Sequence, residues 1–106
     1  MKYNKKNKYA HLNEPQAEFD YHGLDPFLKE DEIVDITNNQ IEEFKKSGKT
    51  IIRLITGKGN RSKNGPVIKP IVLRALQSLK ASKKIKDFDF ETHFTGPNIG
   101  AVIVKL

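Results

Sequence analysis

From Ala17 the chain alternates apolar and polar positions, Phe19 and Tyr21 against Asp20 and His22, the period of two that a β-strand imposes. Gly23 stops this run. Ile33, Ile36, Ile41 and Phe44 then recur at helical spacing. The helix they predict opens either at Asp25-Pro26, a capping residue followed by proline, or a few residues later within "KEDE". Gly48 marks its end. "TIIRLIT", from Thr50 to Thr56, is β-branched and apolar on both faces, as suits an interior strand. Beyond a basic, glycine-bearing loop, Ile68, Ile71, Val72, Ala75, Leu76 and Leu79 repeat at three and four, the clearest amphipathic helix in the chain. It begins near Pro66 and carries Pro70 in its first turn, where a missing N–H costs little. "KDFDFETHF" alternates Phe88, Phe90 and Phe94 against Asp89 and Glu91. "GAVIVKL", after Gly96-Pro97 and Gly100, gives a buried closing strand, so the chain ends in a hairpin.

The predicted order is βαβαββ, an α/β fold. Two strands joined by a helix run parallel under the crossover rule, and as neighbours they place their carboxyl ends on one edge of the sheet. That edge receives both Asp20-His22 and the basic loop. At 106 residues the chain suits a single domain. Residues 1–16, with Lys2, Lys5, Lys6 and Lys8, read as a flexible basic arm, and residues 17–106 as the folded unit. No apolar run approaches the ~20 residues of a membrane span, and the Lys-rich start lacks the apolar core of a signal peptide. A cytoplasmic protein with no membrane partner is the expectation. The absence of cysteine removes disulfides, Cys-ligated zinc and thiol nucleophiles together.

Charge sharpens the picture. Between Glu18 and Glu43 nine acids accompany a single base, Lys29, whereas from Lys45 to Lys86 thirteen lysines and arginines occur without one acid. Segregation of this kind builds a positive face for a polyanion, nucleic acid ahead of anionic membrane or acidic protein, within a net charge of +6. Two ordinary solvated faces would leave the same record.

Two elements can carry chemistry. Asp20 and His22 leave one face of the first strand at its carboxyl end, where open α/β sheets bind ligands. An imidazole can take or give a proton there, and a carboxylate can orient the ring or stabilise its cation. The same pair also fits a capping aspartate and a surface histidine. The second element is "TGKGNRSKNGP". Gly57 and Gly59 allow close backbone approach to a phosphate, and Lys58, Arg61 and Lys63 supply charge-assisted donors. It matches neither a Walker A loop nor G-x-G-x-x-G, since Ser62 occupies the third glycine position, so nucleotide hydrolysis is not expected. A simple turn remains the other reading.

Taken together, "FDYHG", "LITGKGNRSKNGPV" and the closing "GAVIVKL" resemble the small MutS-related, or Smr, domain over Ala17 to Leu106. The resemblance implies a two-layer βαβαββ sandwich with a mixed sheet, similar to the C-terminal domain of translation initiation factor three. It also implies an endonuclease that nicks DNA or cuts RNA, with repair or the ribosome as its setting. The family's acid and histidine fall on Asp20 and His22, and its glycine loop on Thr56, Gly57, Lys58 and Gly59. Phe19 stands where the family has leucine, and "DPFLKEDEI" is a few residues longer than the usual turn into the first helix.

On this reading His22 moves a proton, Asp20 orients it, and Lys58 with the loop amides stabilises transition-state charge, while Arg61 and Lys63 position the backbone. RNA carries its own nucleophile in the 2′-hydroxyl and needs no cofactor, whereas DNA calls for activated water and therefore magnesium held by several carboxylates. Only Asp20 stands near the site, which favours RNA, although Asp25 or a backbone group could complete a magnesium site. A non-catalytic module that binds nucleic acid or a ribosome is the alternative, and a scaffold using the acidic first helix is a third. His11 and His93 read as surface residues, and the three phenylalanines of the hairpin as core before base-stacking platforms.

Overall fold

The structure is a computed structural model that describes residues 14–25, 27–57, 68–93 and 96–106. Its elements are β1 (Ala17–Asp20), α1 (Glu30–Lys46), β2 (Ile51–Ile55), α2 (Ile68–Ala81), β3 (Asp87–His93) and β4 (Gly96–Lys105), with a 3-10 turn at Tyr21–Gly23. The expected order is therefore the observed one. The four strands form one sheet in the order β1-β2-β4-β3, with β1 and β2 parallel and the other pairs antiparallel. "TIIRLIT" supplies an interior strand, as its composition requires.

Alternation along the strands separates the two faces of the sheet. Ile52 and Leu54 are fully buried beside Val104 and Val102, and with Ile33 and Ile41 of α1 and Val72 and Leu76 of α2 they form the core. Burying each such side chain favours the fold by ~1.5–3 kcal/mol. The opposite face carries Glu18 and Arg53, paired at 3.0 Å between β1 and β2. Two layers result: helices on one face of a mixed sheet. Arg74 of α2 ties the two helices together through Glu30 of α1 at 2.6 Å.

Both helices stop in the same way, with different residues. Past α1 the Gly48 amide donates to the Lys45 carbonyl and the Lys49 amide to the Phe44 carbonyl, and Gly48 takes the left-handed φ of 83° that this closure needs. Past α2 the Lys83 and Lys84 amides donate to Lys80 and Leu79, but the left-handed position, φ 64°, is filled by Lys83. A Cβ there is strained.

Several boundaries differ from the expected ones. α1 starts at Glu30, the later of the two starts considered, because the Lys29 amide donates to Glu32 Oε1 at 2.7 Å while Asp25 accepts from the Phe27 amide at 2.9 Å in the preceding loop. β1 stops at Asp20 rather than continuing through His22. Strand β4 starts at Gly96, so the hairpin is longer than the apolar "GAVIVKL" suggests. Its pairing jumps from Phe90 with Val102 to Glu91 with Asn98, a shift of register in the hairpin. Gln16, at the end of the expected arm, is tied to the sheet: its amide donates to the Ile51 carbonyl at 2.7 Å and its Oε1 accepts the Thr50 amide at 2.6 Å. The rest of the arm up to Asn13 lies outside the described residues, as do Pro66 and Phe94. Among the described residues no helix is long and apolar enough to cross a membrane.

Candidate active site

Asp20 is the last residue of β1 and the cap of the turn that follows it. Its Oδ1 accepts the His22 amide at 2.9 Å and His22 Nδ1 at 2.7 Å. A single carboxylate oxygen thus bends the chain out of the strand and fixes the ring on its own end. Both side chains remain more than half exposed, at 51% and 66%. The Asp20 carboxyl lies below its ordinary value of 3.8, chiefly through the His22 backbone amide, opposed by partial desolvation and helped by the His22 ring. An ionised Asp20 can only accept, so Nδ1 is the protonated nitrogen of the ring and Nε2 is left for chemistry.

Between them, Tyr21 points the other way. It is buried at 3%, packs edge-on against Phe19 with ring centres 4.8 Å apart, and its hydroxyl meets Thr37 Oγ1 at 2.8 Å. Thr37 gives its own proton to the Ile33 carbonyl at 3.0 Å, which makes Tyr21 the donor to Thr37. Burial pushes the Tyr21 phenol up to about 12. The dyad is therefore anchored to α1 through the residue it brackets. Thr37, a polar position inside an apolar stripe, was not singled out by periodicity; the signal for it is a hydroxyl residue facing a core that also receives a tyrosine.

The second motif enters from β2. Ile55 pairs with Asp20 on one side and Ala101 on the other, so the row that ends β1 continues into the glycine loop. Gly57 has φ 77°, and a Cβ built on it would lie 3.3 Å from His22 Nε2. Glycine is needed there on both counts. His22 Nε2 thus faces Gly57, at the described start of the second motif. The amides of Thr56 and Gly57 are already engaged, however, both donating to the Gly100 carbonyl at 3.0 and 3.1 Å. Thr56 is buried at 6% and its hydroxyl donates to the Gly57 carbonyl. These two residues thus shape the loop while their amides hold it to β4. Lys58, Gly59, Arg61 and Lys63 lie outside the described residues.

Asp25, which could have supplied a second carboxylate, holds the Phe27 amide. Among the described residues no three His, Asp or Glu side chains are gathered as ligands for a metal ion.

The family model for the Smr domain matches residues 19–106, from the residue before Asp20 to the residue after β4. The chain belongs to the Smr domain family. This family is associated with nucleic acid. The Smr domain of Thermus thermophilus MutS2 shares the fold, with a TM-score of 0.59 and 21% identity over 85% of this chain and 96% of that one. The B3BP Smr domain is 31% identical with a TM-score of 0.46, covering 96% of this chain and 87% of its own. The human small MutS-related domain has the same identity and TM-score, covering 83% of this chain and 98% of its own. No curated protein matches the chain in sequence. In this Smr domain Asp20, His22, Thr56 and Gly57 all stand at the carboxyl edge of β1 and β2.

Proposed function

We propose that this Smr domain is an endonuclease that cuts RNA through the substrate's own 2′-hydroxyl. The observation that carries the reading is His22 held by Asp20 at Nδ1 with Nε2 turned to Gly57. A phosphodiester lying over the glycine loop would present its 2′-hydroxyl to Nε2. Nε2 takes that proton, the 2′-oxygen attacks phosphorus, and the bond to the 5′-oxygen breaks, with a proton from solvent completing the 5′-hydroxyl product. The other product is a 2′,3′-cyclic phosphate. Asp20 stabilises the imidazolium that forms, and Lys58 balances the charge gathering on the non-bridging oxygens. Arg61 and Lys63 hold the neighbouring phosphates.

With the Thr56 and Gly57 amides bound to Gly100, cationic side chains take the larger share of that stabilisation. A DNA substrate would need water activated in place of the 2′-hydroxyl. A single carboxylate engaged with a histidine is poorly suited to that task. The reading is tested by incubating the protein with end-labelled single-stranded RNA, duplex RNA and supercoiled DNA, each with EDTA or with magnesium. Cutting of RNA in EDTA that leaves cyclic phosphate ends is expected. Magnesium-dependent nicking of DNA alone would replace this reading with a metal-assisted one, and tight binding without product would leave a binding module.

A further inference from the structure

Only two large apolar side chains stand exposed among the described residues, Phe27 at 74% and Phe90 at 36%. Both are aromatic, yet their surroundings differ. Phe27 lies between Asp25 and the acidic first turn of α1, Glu30 to Glu32, where a polyanion is repelled. Phe90 lies beneath the start of α2, with Lys69 Nζ 4.8 Å from the centre of its ring. That helix follows directly on the basic loop and belongs to the stretch with no acid from Lys45 to Lys86.

Register places Phe90 relative to the dyad. Phe19, Leu54, Val102 and Phe90 form one row across all four strands, next to the row that ends with Asp20. Three strand spacings separate the ends of this row, about 14 Å in all. The pairing slips immediately after Phe90, so the ring marks the last regular position of β3 toward the site's edge. Asp89 alternates to the other face, and Asp87 is neutralised by Lys80 at 2.9 Å.

We propose that Phe90 and Lys69 form a nucleotide platform, on which a base a few positions from the scissile phosphate stacks while Lys69 takes the adjoining phosphate. Stacking requires a base outside a duplex, so the substrate is single-stranded, entering over the start of α2 and reaching His22 at the far edge. This inference rests on the reading of the carboxyl edge as a nucleic-acid site, and it concerns binding rather than cleavage. The cation over the ring and the register that aligns it with the dyad are what distinguish Phe90 from a core residue left partly uncovered.

The test is done in the full chain carrying His22→Ala, so that cleavage cannot consume the probe. Affinities for a short fluorescent oligouridine and for a duplex RNA of equal length are compared across Phe90, Phe90→Leu and Phe90→Trp. The leucine keeps apolar cover without a π face, and the tryptophan enlarges that face. Roughly a 5-fold or greater loss for oligouridine in Phe90→Leu is expected, with Phe90→Trp at least as tight as the parent and duplex binding level throughout. Equal binding by parent and Phe90→Leu, or parallel losses on both probes, overturns the proposal. Should Phe90→Leu unfold, a folded Phe90→Trp that binds oligouridine more weakly than the parent overturns it as well. Wild-type protein that cuts nothing while oligouridine binding still depends on Phe90 would end the nuclease reading and leave the platform standing.

Discussion

His22 Nε2 occupies the space into which a side chain on Gly57 would grow, 3.3 Å from the position of an added Cβ. The Nε2 face of the histidine and the bare backbone of Gly57 therefore define each other. Gly57→Ala has two consequences that can be measured apart. Its φ of 77° costs an alanine about 1 kcal/mol or more, read as a lower melting temperature. The methyl group also crowds the substrate's approach to Nε2, so RNA cleavage should fall by more than the loss of folded protein explains. Full activity in the folded fraction would show that the loop and the ring do not share a substrate.

The Asp20 carboxyl offers a check on the dyad's wiring. Because the folded value lies below 3.8, the interaction contributes stability above that pH and loses it as pH falls through the lowered value. Its largest cause is the backbone amide of His22, which His22→Ala retains, while the ring's contribution is removed. Carboxyl titration followed by NMR should therefore move partway back toward 3.8 in that variant. An unmoved titration would mean that the ring is not bonded to Asp20 in solution.

Tyr21 tests the anchor. Its phenol titrates at about 12 in the fold against 10.0 in the unfolded chain, so the fold is at full strength below pH 10 and weakens as pH rises toward 12. Denaturant unfolding should report a loss of roughly 2 to 3 kcal/mol across that window. Tyr21→Phe should lack this component of the alkaline loss and cost about 1 kcal/mol at neutral pH, from the hydrogen bond to Thr37. An identical alkaline profile in the variant would assign the loss to other groups.

Lys83 holds a left-handed conformation that Gly48 holds at the end of the other helix. Lys83→Gly should raise stability by about 1 kcal/mol, since strain relief outweighs the added freedom of the unfolded chain. A lower melting temperature would show that the lysine side chain contributes more than its backbone strain costs.

Much of this was legible in the order of residues, for reasons that also explain the remainder. Strand β2 and the core face of α2 follow from apolar spacing, because burial acts on every residue of those elements. The Asp20-His22 pair and the glycine loop could be placed on one edge because a parallel β-α-β unit leaves no other choice. Period-two alternation nevertheless carried β1 through His22, where Asp20 capping turns the chain instead. That outcome depends on one side-chain hydrogen bond and not on hydropathy. Local pattern does not mark Thr37, because its partner Tyr21 lies on another element. Gly100 accepts the loop amides from a strand whose register slips, which no local pattern announces.

The most direct measurement compares wild type with His22→Ala on end-labelled single-stranded RNA under single-turnover conditions, with binding followed in the same samples. A fall in cleavage rate of about 100-fold or more at unchanged affinity is the expected result, since the proposed reaction gives the proton to Nε2. Cleavage by His22→Ala at the wild-type rate, leaving the same product ends, would contradict a histidine-driven ribonuclease at this edge.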